Sequence, residues 1–247
     1  RALRQAHNVQ PKLAVVVTVD MPVINTYMAM KQKYGSEILV DVDIHRAELS
    51  DVPALLESLN ADDTVHGIII QLPISDTERT DEIVDLVAPN KDVDGLGKQA
   101  ALDPATPTAI LWLLAGYSIE LKGKKILVVG HGKLVGEPLV KMLAASGYDV
   151  SIADKSTADL ATLSENSDVI ITATGSAGVI DSSKVKQGAV VVDAGVASEA
   201  GKLVGDVADD VYERQDLTIT PKKGGVGPLT ICALFDNVIK AAQNTIK

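Results

Sequence analysis

The sequence predicts an α/β fold in two domains, the second built on a doubly wound, mostly parallel sheet. Short runs rich in β-branched residues alternate with helix-length segments along the 247 residues. Most of these runs are continuously apolar rather than alternating, as strands covered on both faces are. One stretch, residues 125–154, reads strand, glycine turn, helix, strand.

In chain order, residues 2–6 read as the end of a helix, and the chain opens at Arg1 without a methionine, so part of a natural N-terminus is expected to be missing. Strands are expected at 13–19, 37–42 and 67–71, with helices at 23–34, 52–59 and 81–87 between and after them. A helix at 107–114 follows an N-cap and proline pair, Thr106 and Pro107. The polar stretch 118–125, with Gly123, is the natural domain join, which we place near residue 119, giving domains 1–119 and 120–230. Further strands are expected at 126–130, 149–153, 168–173, 189–193 and 217–220, with a helix at 136–145. The last helix, 231–246, could pack on either domain as far as its own residues tell.

Composition narrows the function. Hydrophobic residues make up 46% and charged ones 23%, the balance of a folded globular chain. A net charge of −10 repels phosphate backbones and anionic lipid, and 3% aromatics is too few for base-stacking platforms, so nucleic-acid binding is disfavoured. No apolar run approaches the roughly 18 residues of a membrane span. The lone Cys232 permits no intrachain disulfide and no thiolate metal cluster, which suits a reducing, cytoplasmic compartment.

In the 125–154 unit, Gly130, Gly132 and Gly136 form G-x-G-x-x-x-G, one residue longer than the common dinucleotide fingerprint. Small residues there let the backbone approach a pyrophosphate at a helix N-terminus, although a tight strand-to-helix turn would look the same. Asp154 ends the next strand, where an acid takes the ribose 2′-hydroxyl of NAD and repels the 2′-phosphate of NADP. His131, Lys133 and Lys155 nearby could attract that phosphate instead, and the balance leans toward NAD. ITATG, with Thr174 and Gly175, and VVDAG, followed by Val196, end two further strands in small residues.

In the first half, Tyr27 and Lys31 share a helix face at i, i+4. Gln71 and Pro73 close the run GIIIQLP, and NKDVDGLG carries Asp92 and Asp94. Taken singly, each also reads as a surface side chain, a strand-end polar group or a plain turn.

Together these pieces resemble the bifunctional methylenetetrahydrofolate dehydrogenase/cyclohydrolase family. Its motifs occur in order: Y-x-x-x-K at 27–31, D-x-x-x-G-I-I-I-Q-L-P at 63–73, K-D-V-D-G at 91–95 and P-x-T-P at 104–107. They continue with V-V-G-x-x-x-x-V-G-x-P through Val135, Gly136 and Pro138, V-G-D-V at 204–207 and G-G-V-G-P-L-T at 224–230. The resemblance implies two α/β domains flanking a cleft, a last helix (231–247) returning to the first domain, and commonly a homodimer. It implies oxidation of 5,10-methylenetetrahydrofolate with NAD or NADP, and hydrolysis of the methenyl product to 10-formyltetrahydrofolate, with no metal. By carry-over, Lys31 is the catalytic lysine, Tyr27 lies against the folate, Gln71 assists the lysine and Asp94 holds the pterin. The GGVGP loop, with Gly225 and Pro228, closes the folate site from the second domain. The cofactor-binding residues are Gly130, His131, Gly132, Lys133, Val135, Gly136, Asp154, Thr174, Gly175 and Val196.

Four segments depart from the family pattern. Gly130-His131-Gly132 replaces the usual G-R-S, and Asp154-Lys155-Ser156-Thr157 replaces a His-Ser-Lys/Arg-Thr, both pointing toward NAD. Lys222-Lys223 stands where V-P is usual, and the segment before Tyr27 lacks the usual glycine, alanine and serine. Two alternatives follow: a dehydrogenase that has lost the cyclohydrolase, and a catalytically silent dinucleotide-binding scaffold.

Overall fold

The structure is a computed structural model and describes residues 2–199 and 202–246. The chain divides into two compact units, one formed by the residues up to Ala105 together with those from Ile231 onward, the other by Thr106–Thr230. In order, the elements are α1 (Ala2–His7), β1 (Lys12–Val17), α2 (Pro22–Ile38), β2 (Asp41–Arg46), α3 (Val52–Ala61), β3 (Gly67–Ile70), α4 (Thr80–Val84) and α5 (Ala105–Gly116). Then come β4 (Lys125–Val129), α6 (Gly136–Ala145), β5 (Asp149–Ala153), α7 (Leu160–Glu165), β6 (Val169–Thr172) and β7 (Val190–Asp193). The antiparallel pair β8 (Ala197–Glu199) and β9 (Lys202–Val204), α8 (Asp209–Tyr212), β10 (Thr218–Ile219) and α9 (Val226–Asn244) complete the chain. The division falls at the start of α5 and inside α9, so residues 106–119 belong with the second unit. The polar stretch 118–125 follows α5 as a connection within that unit and ends on Lys125, the first residue of β4.

In the first unit, three parallel strands lie in the order β2-β1-β3. The central strand, β1, is buried from Leu13 to Val17. Ala14 and Val16 pack with Ile68 and Ile70 of β3, Val52, Leu56 and Leu59 of α3, and Ile83 and Val84 of α4. Fully burying a side chain such as Leu56 or Ile83 contributes roughly 1.5–3 kcal/mol, so this layer anchors the strand ends that carry the site.

Of residues 37–42, expected as a strand, only Asp41 and Val42 form one. Helix α2 runs on through Ile38, where Leu39 enters the left-handed region (φ 65°) and its N–H caps Gly35 and Ser36. Strand β2 begins only at Asp41. Gly35 is what allows this, since a Cβ there would meet Val42 Cγ2 at 2.6 Å and the Val40 carbonyl at 2.9 Å. The β-branched run reads as strand, but the close seating of α2 decides otherwise.

In the second unit, five parallel strands lie in the order β10-β7-β6-β4-β5. Leu127, Ile170 and Val191 of neighbouring strands pack with Ile180, Val185 and Val211 on one face. Strand order reverses around β4: its successor β5 lies on one side and β6 on the other, which is the switch point of a doubly wound sheet. Among the described residues, no helix is long and apolar enough to cross a membrane.

Candidate active site

Within the first unit, two elements bring together three of the expected residues. Helix α2 sets Tyr27 and Lys31 one turn apart, with Lys31 Nζ 6.0 Å from the centroid of the Tyr27 ring. Lys31 Nζ donates to Gln71 Oε1 at 2.8 Å. Gln71 is the first residue beyond β3, held there by its N–H to the Val16 carbonyl at 2.8 Å. Its Nε2 donates to the Leu72 carbonyl at 3.1 Å, which turns Oε1 toward the lysine.

Asp94 arrives on a loop whose other polar residues hold the loop itself. The Ile68 N–H donates to the Lys91 carbonyl at 2.7 Å, laying the segment alongside β3. Lys91, 8% exposed, donates its ammonium to the carbonyls of Leu59, Asn60 and Asp62 (3.1, 2.8 and 2.8 Å) and so satisfies the C-terminal end of α3. The buried Asp92 carboxylate accepts from the N–H groups of Gly95 (2.9 Å) and Gly97 (2.7 Å). Gly95 has φ 68°, and a Cβ would strike the Pro104 backbone at 2.7 Å, so this turn requires glycine. From α9, Asn237 Nδ2 donates to the carbonyls of Val93 (2.9 Å) and Asp103 (2.8 Å).

The electrostatics of this cluster set its chemistry. Burial lowers the pKa of Lys31, while the Asp94 carboxylate pulls the other way. Burial pushes Asp94 up to about 6, Lys31 opposing and Asp92 adding to the rise. An amine that releases its proton more readily than usual beside a carboxylate that keeps its proton longer than usual can carry acid–base work near neutral pH.

The segment before Tyr27 is pinned by polar contacts. Asp20 accepts from Asn25 Nδ2 at 2.8 Å, and Asn25 Oδ1 accepts from Arg46 at 2.8 Å. A separate concavity of about 930 Å³, lined by Arg4, Gln10, Leu39 and Asp41, lies where β1 and β2 begin. Gln71 stands at the other, C-terminal, edge of that parallel sheet, where ligands of α/β sheets bind.

In the second unit, the expected cofactor residues gather at the C-terminal edge of the sheet. Gly130 follows β4 with φ 115°, and a Cβ there would run into the Ala173 carbonyl after β6. A Cβ on Gly136, the first residue of α6, would overlap the Gly130 carbonyl, whereas Gly132 has nothing within 4 Å. The turn through His131, Gly132, Lys133 and Val135 is therefore folded tightly onto the helix N-terminus, the shape a pyrophosphate needs. Asp154 follows β5 and is exposed. Its Oδ1 accepts from Ser156 N–H (2.8 Å) and Oγ (2.6 Å), which lowers its pKa, with His131 and Lys155 contributing to the same effect. Thr174 and Gly175 follow β6, and Val196, 55% exposed, follows β7.

Gly225 and Pro228 also belong to the second unit, but the expected loop is half helix. Helix α9 starts at Val226, five residues earlier than the expected 231, and takes Gly227 and Pro228 into its first turn. Proline is tolerated there because the first helical N–H groups have no intrahelical acceptor. Lys222 is taken up locally, its Nζ 2.6 Å from Asp209 and 5.0 Å from the Tyr212 ring centroid. Sequence reasoning missed Asn237, and it quoted Lys91, Asp92 and Asp206 inside motifs without assigning them work.

Comparison with known proteins matches both units. Residues 1–94 match the model for the tetrahydrofolate dehydrogenase/cyclohydrolase catalytic domain, and residues 104–246 match the NAD(P)-binding domain of the same family. The bifunctional protein FolD of Geobacillus thermodenitrificans is 37% identical over 97% of this chain and 89% of its own length. The crystal structure of the bifunctional FolD methylenetetrahydrofolate dehydrogenase/cyclohydrolase from Campylobacter jejuni is 35% identical, with a TM-score of 0.90 over 97% of this chain and 90% of that one. The Trypanosoma brucei FolD, solved with NADP and an inhibitor, is 26% identical with a TM-score of 0.91, covering 99% of this chain and 91% of that one.

Proposed function

The chain belongs to the tetrahydrofolate dehydrogenase/cyclohydrolase family, and we propose from that premise that Lys31, Gln71, Tyr27 and Asp94 are its folate-site residues and that NAD is its preferred cofactor. The protein is an NAD(P)-dependent methylenetetrahydrofolate dehydrogenase and methenyltetrahydrofolate cyclohydrolase. In this reading the first unit is the folate-binding catalytic domain and the second the dinucleotide-binding domain. The observation that carries it is the hydrogen bond from Lys31 Nζ to Gln71 Oε1 with Asp94 in electrostatic reach.

The glycines at 130 and 136 leave a backbone cradle that fits a dinucleotide, whose nicotinamide, when bound, would supply the hydride acceptor. Asp94, acting only as an acceptor when ionised, holds the amino and N–H donors of the pterin. Tyr27 supplies an apolar face with a polar end against the folate rings. Lys31 moves protons as water adds to the methenyl carbon and the ring opens. Burial brings its pKa toward the working range, and Gln71 fixes the direction of Nζ. In the second unit, Gly225 and Pro228 are read as folate contacts and Val135, Thr174, Gly175 and Val196 as cofactor contacts.

The NAD preference rests on Asp154, an exposed carboxylate that stays ionised where a 2′-phosphate would lie, and on His131 in place of an arginine. A homodimer in a reducing, cytoplasmic compartment completes the reading, the free thiol of Cys232 being compatible with it. The test is a paired assay with methylenetetrahydrofolate and NAD or NADP, following reduced nicotinamide and methenyl absorbance. Turnover without lasting methenyl accumulation, and a kcat/KM ratio favouring NAD, are expected; failure to reduce either cofactor would overturn the reading.

A further inference from the structure

Asp193 ends β7 and Asp206 follows β9, and both carboxylates are taken up by hydrogen bonds within the unit. Asp206, fully buried, accepts from the N–H of Thr174 at 2.5 Å and of Ser176 at 3.0 Å. Asp193 accepts from the N–H groups of Gly195 (3.0 Å), Asp206 (3.1 Å) and Val207 (3.2 Å), from Thr172 Oγ1 (3.1 Å) and from the Tyr212 hydroxyl (3.0 Å). A Cβ on Gly195 would overlap the Asp206 carboxylate, and one on Gly205 would overlap that of Asp193. Each acid is thus packed against a glycine that has no room for a side chain.

A half-buried carboxylate beside a buried one is unfavourable in itself, and burial together with Asp193 raises the pKa of Asp206. The arrangement fixes one loop in return. At 174–176, directly after β6 and beside the switch point of the sheet, the Ser176 N–H also donates to Thr174 Oγ1 at 3.0 Å, within the same turn. The Asp206 carboxylate takes both Thr174 N–H and Ser176 N–H and so dictates the path of the backbone through Gly175, where φ is 68°.

We infer that Asp206 is a positioning residue for the nicotinamide cofactor, holding the Thr174–Ser176 backbone in the conformation the cofactor binds. This rests on the reading of Thr174 and Gly175 as cofactor contacts. Asp206 touches no cofactor itself; it acts through the loop, while Asp193 holds Asp206.

The test is Asp206→Asn, which keeps the size but offers one acceptor where two N–H donors converge and turns an amide N–H₂ toward the other. The KM for NAD and for NADP should rise about tenfold, the equivalent of one hydrogen bond to a charged group, with the KM for methylenetetrahydrofolate within about twofold of wild type. Hydrolysis of supplied methenyltetrahydrofolate requires no hydride transfer, so its retention shows that the variant is folded. A merely structural role would lower every activity together and leave the cofactor KM alone. An unchanged cofactor KM in a variant that still hydrolyses methenyltetrahydrofolate overturns the inference. If Thr174→Ala and Gly175→Ala also leave the cofactor KM unchanged, it is the reading of the loop that fails. Should Asp206→Asn not fold, amide hydrogen exchange on the wild type decides: the Thr174 and Ser176 N–H groups should be protected before cofactor is added, and exchange at free-peptide rates would sink the inference.

Discussion

Asn237 on the last helix reaches across 144 positions of sequence to donate to the Val93 carbonyl, next to Asp94. The same Nδ2 donates to Asp103 O, so one buried amide ties both ends of the loop that carries Asp94, the proposed folate-site acid. Asn237→Ala removes both donors and leaves two carbonyls unmatched, at a cost of roughly 1–3 kcal/mol. Asn237→Asp is nearly the same shape but sets a carboxylate against those carbonyls, so melting temperature should fall in the order wild type, Ala, Asp. In folded Asn237→Ala, the KM for methylenetetrahydrofolate should rise severalfold with the NAD(P) KM unaltered. Equal melting temperatures for the two variants would mean that shape, not the donor, is what matters there.

Lys31 is assigned a proton-transfer role, and arginine separates that role from simple positive charge. A guanidinium keeps its proton at any working pH, whereas the lysine ammonium can release its own. Lys31→Ala and Lys31→Arg should both lower methenyltetrahydrofolate hydrolysis, on the order of 10²–10⁴-fold for a lost general acid–base. Hydrolysis within a few fold of wild type in the arginine variant would exclude the proton-transfer role.

Much of this site was legible because it lies in local patterns. Tyr27 and Lys31 are one helical turn apart, Gln71 follows an apolar strand, and the 130–136 glycines sit between a strand and a helix. What the pattern could not carry was long-range closure. Asn237 looks like any helix asparagine until Val93 and Asp103 are seen beside it. Lys91 reads as a charge in a turn, yet its stem is buried and its ammonium caps α3 from 29 to 32 positions away. Residues 37–42 mislead for a packing reason: the absent side chain of Gly35 lets α2 continue where the β-branched run suggests extension. The glycines before Pro228 read as loop, although α9 begins among them.

Asp94 should make substrate capture and stability respond to pH in opposite senses. Its carboxylate is pushed up to about 6, so pterin binding by the ionised form should weaken as pH falls through 6, seen as a rising KM for methylenetetrahydrofolate. In the unfolded chain the group titrates near 3.8. Between those values the native state holds more proton than the unfolded state, and this group's contribution to stability falls as pH rises through that window. Asp94→Asn should accordingly raise the melting temperature by a few degrees at pH 7.5 and lose that gain near pH 3.5, where both forms are neutral. Lys31, deprived of its counter-charge, reduces the gain without changing its sign. The same increment at both pH values would show that the carboxylate is not held protonated in the fold.

If Asp154 selects the cofactor by repulsion, as proposed, removing it should relax the choice. Its Oδ1 is engaged by Ser156, and the anion stands among His131 and Lys155, which on their own would welcome a 2′-phosphate. Asp154 is exposed, so its repulsion of a 2′-phosphate is screened by solvent and modest. Asp154→Ser should therefore raise the NADP-to-NAD ratio of kcat/KM severalfold, mainly by improving NADP. NAD itself should weaken slightly as the ribose loses its acceptor. The response of Lys155→Ala should run the other way, lowering the ratio by a smaller factor because lysine is a flexible, solvated charge. If Asp154→Ser leaves the ratio where it was, the 2′-position does not lie against this residue and the NAD preference loses its physical basis.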